Sequence, residues 1–159
     1  MAPLGAGKVG LFAAAGAGGA TGAGYFGGGY AASYVDTVDK FAFPDDSRST
    51  LGTGLSAATR ALAGMANSGT AGYFGGGTTG SYVDTVDKFA FPADSRSTLG
   101  TGLSAATRAL AGMANSGTAG YFGGGTTGSY VDTVDKFAFP ADSRSTLGTG
   151  LSAATRALA

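Results

Sequence analysis

Paired aspartates that recur along the chain are the side chains whose type and spacing come closest to a metal site. Asp132 and Asp135 lie three residues apart, and two such carboxylates could bind a cation. The same pair occurs twice more upstream, as Asp84/Asp87 and Asp36/Asp39. Because residues three apart on a strand point to opposite faces, one Ca²⁺ is not expected to take both carboxylates. We therefore predict solvated aspartates, or partners for Lys136, and no metal site.

Arginines and tyrosines are the other recurring side chains with the chemistry to bind a ligand. Arg108 has counterparts 48 residues to either side, Arg60 and Arg156. Around a channel such arginines could form an anion-binding ring, but we favour a structural role in which they bind carbonyls of a neighbouring repeat. Tyr121 and Tyr130 could stack against sugars, although packing within and between repeats is the more common role of tyrosine.

The composition excludes most catalytic and cofactor chemistry. The 159 residues include no His and no Cys, which removes the usual zinc sites, iron–sulfur clusters, thiol nucleophiles and imidazole bases. Ten Lys and Arg balance ten acidic residues, so the chain lacks the basic surplus that binds nucleic acid or anionic membranes. No run of residues approaches the roughly 20 apolar positions of a membrane-spanning helix. The N-terminus resembles a signal peptide only poorly, and we predict an imperfect first strand there.

A repeat of 48 residues organises the chain. Residues 64–111 and 112–159 are identical at every position. Residues 35–63 belong to an upstream copy that differs from the next copy at one position: Asp45 stands where the next copy has Ala93. We divide the chain into an imperfect N-terminal strand or tail, residues 1–14, and three repeats, residues 15–62, 63–110 and 111–158. Any site that the repeat carries must occur about three times, which disfavours a single asymmetric active site.

Each repeat contains four short segments that are separated by turn sequences. The separators are Asn-Ser-Gly, Gly-Gly-Gly-Thr-Thr-Gly and Pro-Ala-Asp-Ser, in which Gly and Asn accept positive φ angles and Pro and Asp open turns. Residues 129–139 are rich in Val, Tyr, Phe and Thr, which favour a strand. Residues 104–115 are rich in Ala, with Leu and Met at helical spacing, so their propensity alone favours a helix as much as a strand. A helix there would make each repeat a rung of a β/α solenoid.

The order of these segments resembles a kelch repeat. Arg108, a small apolar segment ending at Asn115, a turn, the pair Tyr121-Phe122 and a double glycine follow one another as in that family's pattern. The family's period of about 50 residues fits the 48 observed. The resemblance implies an all-β fold of kelch-like β-propeller blades, three four-stranded repeats per chain, with residues 105–115 as the innermost strand. It implies a structural role for the repeated motif residues Gly27, Gly28, Gly75, Gly76, Gly123, Gly124, Arg60, Arg108 and Arg156.

The sequence departs from the kelch pattern in the second half of the repeat. Phe137-Ala138 stands where the family has Tyr-Asp. The fourth strand, predicted over residues 144–151, lacks the family's Trp, and Arg144 is nearest its place. Since that Trp packs between blades, we expect different packing between blades here.

We predict a non-enzymatic structural or interaction scaffold with no catalytic residues and no cofactor. Galactose-oxidase-like copper enzymes need His ligands and a Cys-linked Tyr, and sialidase-like enzymes need Glu, all of which are absent. Closed propellers have four to eight blades, so three blades would expose apolar surface and strand edges at both ends. The predicted partner is a second copy, in a homodimer that closes a six-bladed ring, with an open filament or a longer array as alternatives.

Two other functions stay open at this point. One is a glycan-binding adhesin or viral fibre module, for which the partner would be a glycan or another protein. The other is an engineered or recently amplified repeat, because perfect identity over 48 residues implies recent duplication or design. Neither a nucleic acid nor a membrane span is predicted, and the sequence does not indicate a compartment.

Overall fold

Twelve β-strands and no helix make up the secondary structure of the residues that the computed structural model describes, which are 10–14, 22–43 and 45–158. The strands are β1 (Gly10–Ala14), β2 (Ala23–Ala31), β3 (Ser33–Ala42), β4 (Ser47–Thr50), β5 (Ala63–Asn67), β6 (Ala71–Gly75), β7 (Val86–Ala90), β8 (Ser95–Thr98), β9 (Ala111–Asn115), β10 (Ala119–Gly123), β11 (Val134–Ala138) and β12 (Ser143–Thr146). The all-β prediction is confirmed, and the helical alternative for residues 104–115 is wrong.

The strands form three antiparallel sheets of four strands each. The first sheet is β1-β2-β3-β4, the second is β5-β6-β7-β8 and the third is β9-β10-β11-β12. In each sheet every strand pairs with the next strand along the chain. Tyr73 lies opposite Met65 and Lys88 in the second sheet, and the residues 48 positions later pair in the same way in the third. This regular meander is compatible with blade-like repeats.

The first strands of consecutive sheets lie side by side, with β1 against β5 and β5 against β9. The segments before β5 and β9, and the equivalent segment after β12, are joined through their backbones. Ala109 N–H donates to the Ala61 carbonyl, and Ala157 N–H donates to the Ala109 carbonyl, both at 2.7 Å. A Cβ on Gly112 would collide with the carbonyl oxygen of Gly64. Small residues in the first strand therefore let neighbouring sheets converge.

Glycine at the end of the second strand of a sheet turns the chain and contacts the segment that leads to the next sheet. Gly76 has a φ of 66°, a left-handed conformation that residues with a Cβ rarely adopt. A Cβ there would lie 2.5 Å from the carbonyl oxygen of Thr107, in the segment that leads to the third sheet. The N–H of Gly77 donates to that same carbonyl at 2.8 Å. The glycine run is thus hydrogen-bonded to its surroundings and does not behave as an untethered linker.

The strands of the later repeats are shorter than the sequence predicts. β11 begins at Val134 and not at residue 129. β12 ends at Thr146 and not at residue 151. β9 occupies only the end of the predicted strand 105–115, since its first residue is Ala111.

The loop before β11 explains its late start. The Thr126 hydroxyl donates to the Ser129 carbonyl at 3.1 Å, and such side-chain bonds compete with pairing between strands. In the first repeat, Tyr-Ala-Ala-Ser at residues 30–33 replaces the Thr-Thr-Gly-Ser of this loop. There Ala32, with a φ of 63°, makes a tight turn, and β3 extends over the full Ser33–Ala42.

The first sheet begins with β1, whose Gly10 lies opposite Gly27 in β2. This strand lies within the segment 1–14 that the sequence assigns to an imperfect strand or tail. Residues 1–9 and 15–21, which include most of the segment weighed as a signal peptide, lie outside the described residues.

Apolar side chains fill the two spaces between sheets. Between the first and second sheets, Tyr25 and Val38 pack with Phe74 and Phe89. The residues 48 positions later fill the second space: Tyr73, Val86, Phe122 and Phe137. Alternate residues of a strand point to opposite sides. Each sheet therefore has a forward face, with its Tyr and Val toward the next sheet, and a rear face, with two Phe toward the preceding one.

Candidate functional site

The aspartates Asp87 and Asp135 are buried hydrogen-bond acceptors. Asp87 is 4% exposed, and its Oδ2 accepts from the N–H of Ser56 at 2.7 Å and from the Ser56 hydroxyl at 2.8 Å. Its Oδ1 accepts from the Thr98 hydroxyl at 2.6 Å. Asp135 makes the same contacts with Ser104 and Thr146. The prediction of solvated aspartates is therefore wrong for these two, because each has its own donors inside the protein.

The predicted pairing of an aspartate with Lys136 is also not observed. Asp135 bonds instead to Ser104 and Thr146, with Arg144 Nη1 3.7 Å away. Asp132 contributes its backbone carbonyl, which accepts from Leu151 N–H at 2.8 Å. In the described part of the chain, no three His, Cys, Asp or Glu side chains are grouped as metal ligands would be. No helix long and apolar enough to cross a membrane occurs among those residues.

Each motif arginine lies over an aromatic ring, and Arg60 and Arg108 also pair with the next repeat through their backbones. The guanidinium of Arg108 lies 4.9 Å from the centroid of the Tyr82 ring, while its backbone pairs with Thr126 of the next repeat. Arg60 lies over Tyr34 and Arg156 lies over Tyr130, each also at 4.9 Å. The sequence does not predict this cation–π contact. The backbone N–H of Arg108 donates to the carbonyl of Thr126 in the next repeat at 3.1 Å, whereas the buried Nε of Arg108 has no hydrogen-bond partner among the described residues.

A cluster of tyrosine, lysine and aspartate joins each pair of neighbouring sheets. The Tyr25 hydroxyl donates to Asp94 Oδ1 at 2.7 Å, and Lys40 Nζ donates to Asp94 Oδ2 at 2.6 Å. The Tyr25 ring also stacks on Phe91, with centroids 5.0 Å apart. The second cluster makes the same contacts through Tyr73, Lys88, Asp142 and Phe139. The sequence does not reveal these clusters, because Tyr25 and Asp94 lie 69 residues apart.

Burial raises the pKa of the Tyr25 and Tyr73 hydroxyls well above their ordinary value of 10.0. The hydrogen bond to the aspartate raises the pKa further, and the negative charge of the aspartate adds to it. Each tyrosine therefore stays protonated and acts as a donor. Each aspartate accepts from one neutral hydroxyl and from one lysine cation.

A phenylalanine of each following sheet fills the space that a glycine leaves open. A Cβ on Gly27 would lie 2.8 Å from the ring of Phe74, and a Cβ on Gly75 would lie 2.8 Å from the ring of Phe122. Gly27 and Gly75 are both on forward faces, and the two Phe are on rear faces. We call these glycines the sockets of the interface between sheets.

The first and third sheets each have one face that no other described sheet covers. On the forward face of the third sheet, Met113 is 65% exposed, whereas its counterpart Met65 is 2% exposed. On the rear face of the first sheet, Phe26 is 40% exposed, whereas its counterpart Phe74 is 2% exposed. We call these the open forward face and the open rear face. Equivalent residues of the repeat thus differ in burial only through the position of their sheet.

The open faces carry the two halves of the tyrosine-lysine-aspartate cluster. Tyr121 and Lys136 on the open forward face are equivalent to Tyr73 and Lys88. Neither Tyr121 nor Lys136 pairs with a described residue. Asp46, beside the open rear face, is equivalent to Asp94. It too has no partner in the described part of the chain. The socket is empty too: around a Cβ on Gly123 the nearest atom is Val134 Cγ2 at 3.3 Å, with no ring among its three nearest neighbours.

Comparison with protein-family models finds no match for this chain, and comparison with curated proteins finds no match either. Function is therefore inferred from the chemistry and geometry of the chain's own interfaces.

Proposed function

We propose that the chain is a non-enzymatic structural scaffold, built from kelch-like propeller repeats, that assembles with further copies of itself. One observation carries this proposal: the open forward face and the open rear face are the two halves of an interface that the chain already buries twice.

The kelch-like part of the proposal is supported by the shape of the repeat. Each sheet is a four-stranded antiparallel meander, and the first strands of neighbouring sheets lie side by side. That is how the blades of a propeller surround their axis. The double glycine, the arginine and the aromatic pair occupy the same places in each repeat.

The non-enzymatic part is supported by what the polar residues do. The chain has no His or Cys, and all its acidic residues are Asp. The two most buried carboxylates, Asp87 and Asp135, have their oxygens occupied by hydroxyl and backbone donors. A general base or nucleophile needs an oxygen that can reach a substrate.

The self-assembling part is supported by exposed apolar residues at both ends of the array. Contiguous exposed apolar surface marks an interaction site more often than not. The large exposed hydrophobic residues other than tyrosine on the first and third sheets and the segments beside them are Phe26, Phe43, Met113, Leu147 and Leu158. A second copy carries the complementary face for each of them. Two copies joined at both ends supply six blades and close with two-fold symmetry, whereas an unclosed joint extends into a filament.

Light scattering coupled to gel filtration tests the proposal at micromolar concentration. We expect a species of twice the 15.3 kDa chain mass for the closed ring, or larger species that grow with concentration for a filament. A compact, folded species of 15.3 kDa would contradict both forms.

A further inference from the structure

We infer that copies of this chain join in one register, in which Asp46 of one copy accepts hydrogen bonds from Tyr121 and Lys136 of the next. This inference rests on the proposed function and specifies the residues that make the joint. The open forward face of the third sheet thereby receives the open rear face of the first sheet of another copy.

The two internal interfaces define this register. The Tyr–Asp bond is 2.7 Å long in both, and the Lys–Asp bond is 2.6 Å long in both. The interface is therefore a property of the repeat and is insensitive to its position along the chain. A third interface of the same geometry pairs Tyr121 and Lys136 with the next aspartate of the series, and in a second copy that aspartate is Asp46.

Charge favours a joint between unlike faces over one between like faces. The open forward face presents the Lys136 cation, and Asp46 is an anion beside the open rear face. Asp45, which stands where the later repeats have Ala, adds a second negative charge next to Asp46. Two forward faces would bring two lysines together, and two rear faces would bring two Asp45 and two Asp46 together beside the ion pairs of Asp39 with Arg48, so like faces repel.

Shape favours the same pairing. The ring of Phe26 is exposed, and the socket at Gly123 is empty. In the internal interfaces, Phe74 and Phe122 fill the sockets at Gly27 and Gly75. A further contact follows from the repeat: Ser56 and Ser104 donate to aspartates of the next sheet, and Ser152 would donate to Asp39 of the second copy.

Charge reversal in two separate variants tests the register. Asp46→Lys alone and Lys136→Asp alone each place like charges at every joint. We expect each variant to raise the dissociation constant at least roughly tenfold. Mixed in equal amounts, the two variants should assemble again as an alternating complex. One joint then has the original charges, and the other has both charges reversed.

Two further variants show whether folding is involved. Asp94→Lys reverses the same charge inside the chain and should lower the unfolding midpoint strongly, because it removes the acceptor of Tyr25 and Lys40. Asp46→Lys removes no bond of the monomer and should lower the midpoint only by the cost of a lysine at a left-handed φ, which is 54° at both positions. Gly123→Ala requires only a small shift of the Val134 side chain in the monomer, whose Cγ2 is 3.3 Å from the new methyl group. The methyl group lies in the socket, so the variant should also block assembly. If a charge variant fails to fold, the effect of Gly123→Ala on assembly still tests the register.

The outcomes separate the register from the proposed function. Loss of assembly in each charge variant, with recovery in the mixture, supports the register. Assembly of the charge variants and of Gly123→Ala with wild-type affinity overturns the register and leaves the scaffold proposal standing. A wild-type chain that stays monomeric overturns both.

Discussion

Phe122 and Gly75 are in such close contact that no side chain could stand between them. A Cβ on Gly75 would lie 2.8 Å from the Phe122 ring, which is shorter than a van der Waals contact between carbon atoms. The second sheet thus offers bare backbone to an aromatic ring of the third. Close packing of this kind favours one register between the sheets, because a shift of two residues toward the start of β6 would place Tyr73 on the same face in place of the glycine.

Gly75→Ala should destabilise the protein, because the added methyl group must displace the Phe122 ring or separate the two sheets. Overpacking of a filled core costs about 1–3 kcal/mol of the free energy of unfolding. Urea denaturation followed by circular dichroism measures the change.

Gly100→Ala is the matched control for that variant. A Cβ on Gly100 would meet no atom within 4 Å. The free energy of unfolding should therefore change little, or rise by a few tenths of a kcal/mol through the lower entropy of the unfolded chain. Equal losses in the two alanine variants would show that contact with Phe122 does not limit the residue at position 75.

Asp87→Ala should lower the free energy of unfolding by roughly 3 kcal/mol, because it leaves the donors of Ser56 and Thr98 without their charged acceptor in a buried site. Asp39→Ala is its counterpart in the first sheet. Asp39 keeps bonds to Thr50 and Arg48 but has a side chain 32% exposed, against 5% for Asp87. We expect a loss below about 1 kcal/mol for Asp39→Ala at concentrations where the chain is monomeric.

Thermal or urea unfolding of both aspartate variants under identical conditions gives the comparison. A larger loss in Asp39→Ala than in Asp87→Ala would contradict the view that burial and the Ser56 donors set the contribution of this carboxylate.

The strand content of this chain could be predicted because its signals are local. Val, Tyr, Phe and Thr mark the strand that ends near Ala138, and Gly, Asn and Pro mark the turns. The segment 104–110 has no such signal, and it forms neither helix nor strand. Its backbone bonds to residues far away in the sequence: Thr107 N–H donates to the Val83 carbonyl at 3.1 Å, and Ala109 N–H donates to the Ala61 carbonyl of the preceding repeat at 2.7 Å. Such tertiary bonds override the helical propensity of alanine.

The burial and the contacts of the candidate-site residues could not be predicted from the sequence, for a different physical reason. Met65 and Met113 have identical neighbours in the chain, yet one is buried and the other is mostly exposed. No local pattern distinguishes them, because their burial depends on whether another sheet follows. The aspartates give a second case: Ser56 and Asp87 lie 31 residues apart, and only the packing of one sheet on the next brings them together.

Stability should decrease as the pH rises above 10, because Tyr25 and Tyr73 hold their protons more tightly when folded than when unfolded. The pKa of each hydroxyl is raised in the folded protein, chiefly by burial and then by the bond to its aspartate. The resulting stabilisation is fully present below the ordinary tyrosine pKa near 10. It is lost progressively above that pH, as the unfolded chain releases protons that the folded chain retains.

The double variant Tyr25→Phe/Tyr73→Phe isolates this effect. At pH 8 it should be less stable by about 1–2 kcal/mol per site, since each aspartate loses a donor. Above pH 10 its unfolding midpoint in urea should decrease less steeply than that of the wild type. Lys40 and Lys88 are present in both proteins, so the difference between the two slopes reports the tyrosines alone. Parallel decreases from pH 8 to pH 11 would show that these hydroxyls ionise alike in the folded and unfolded states.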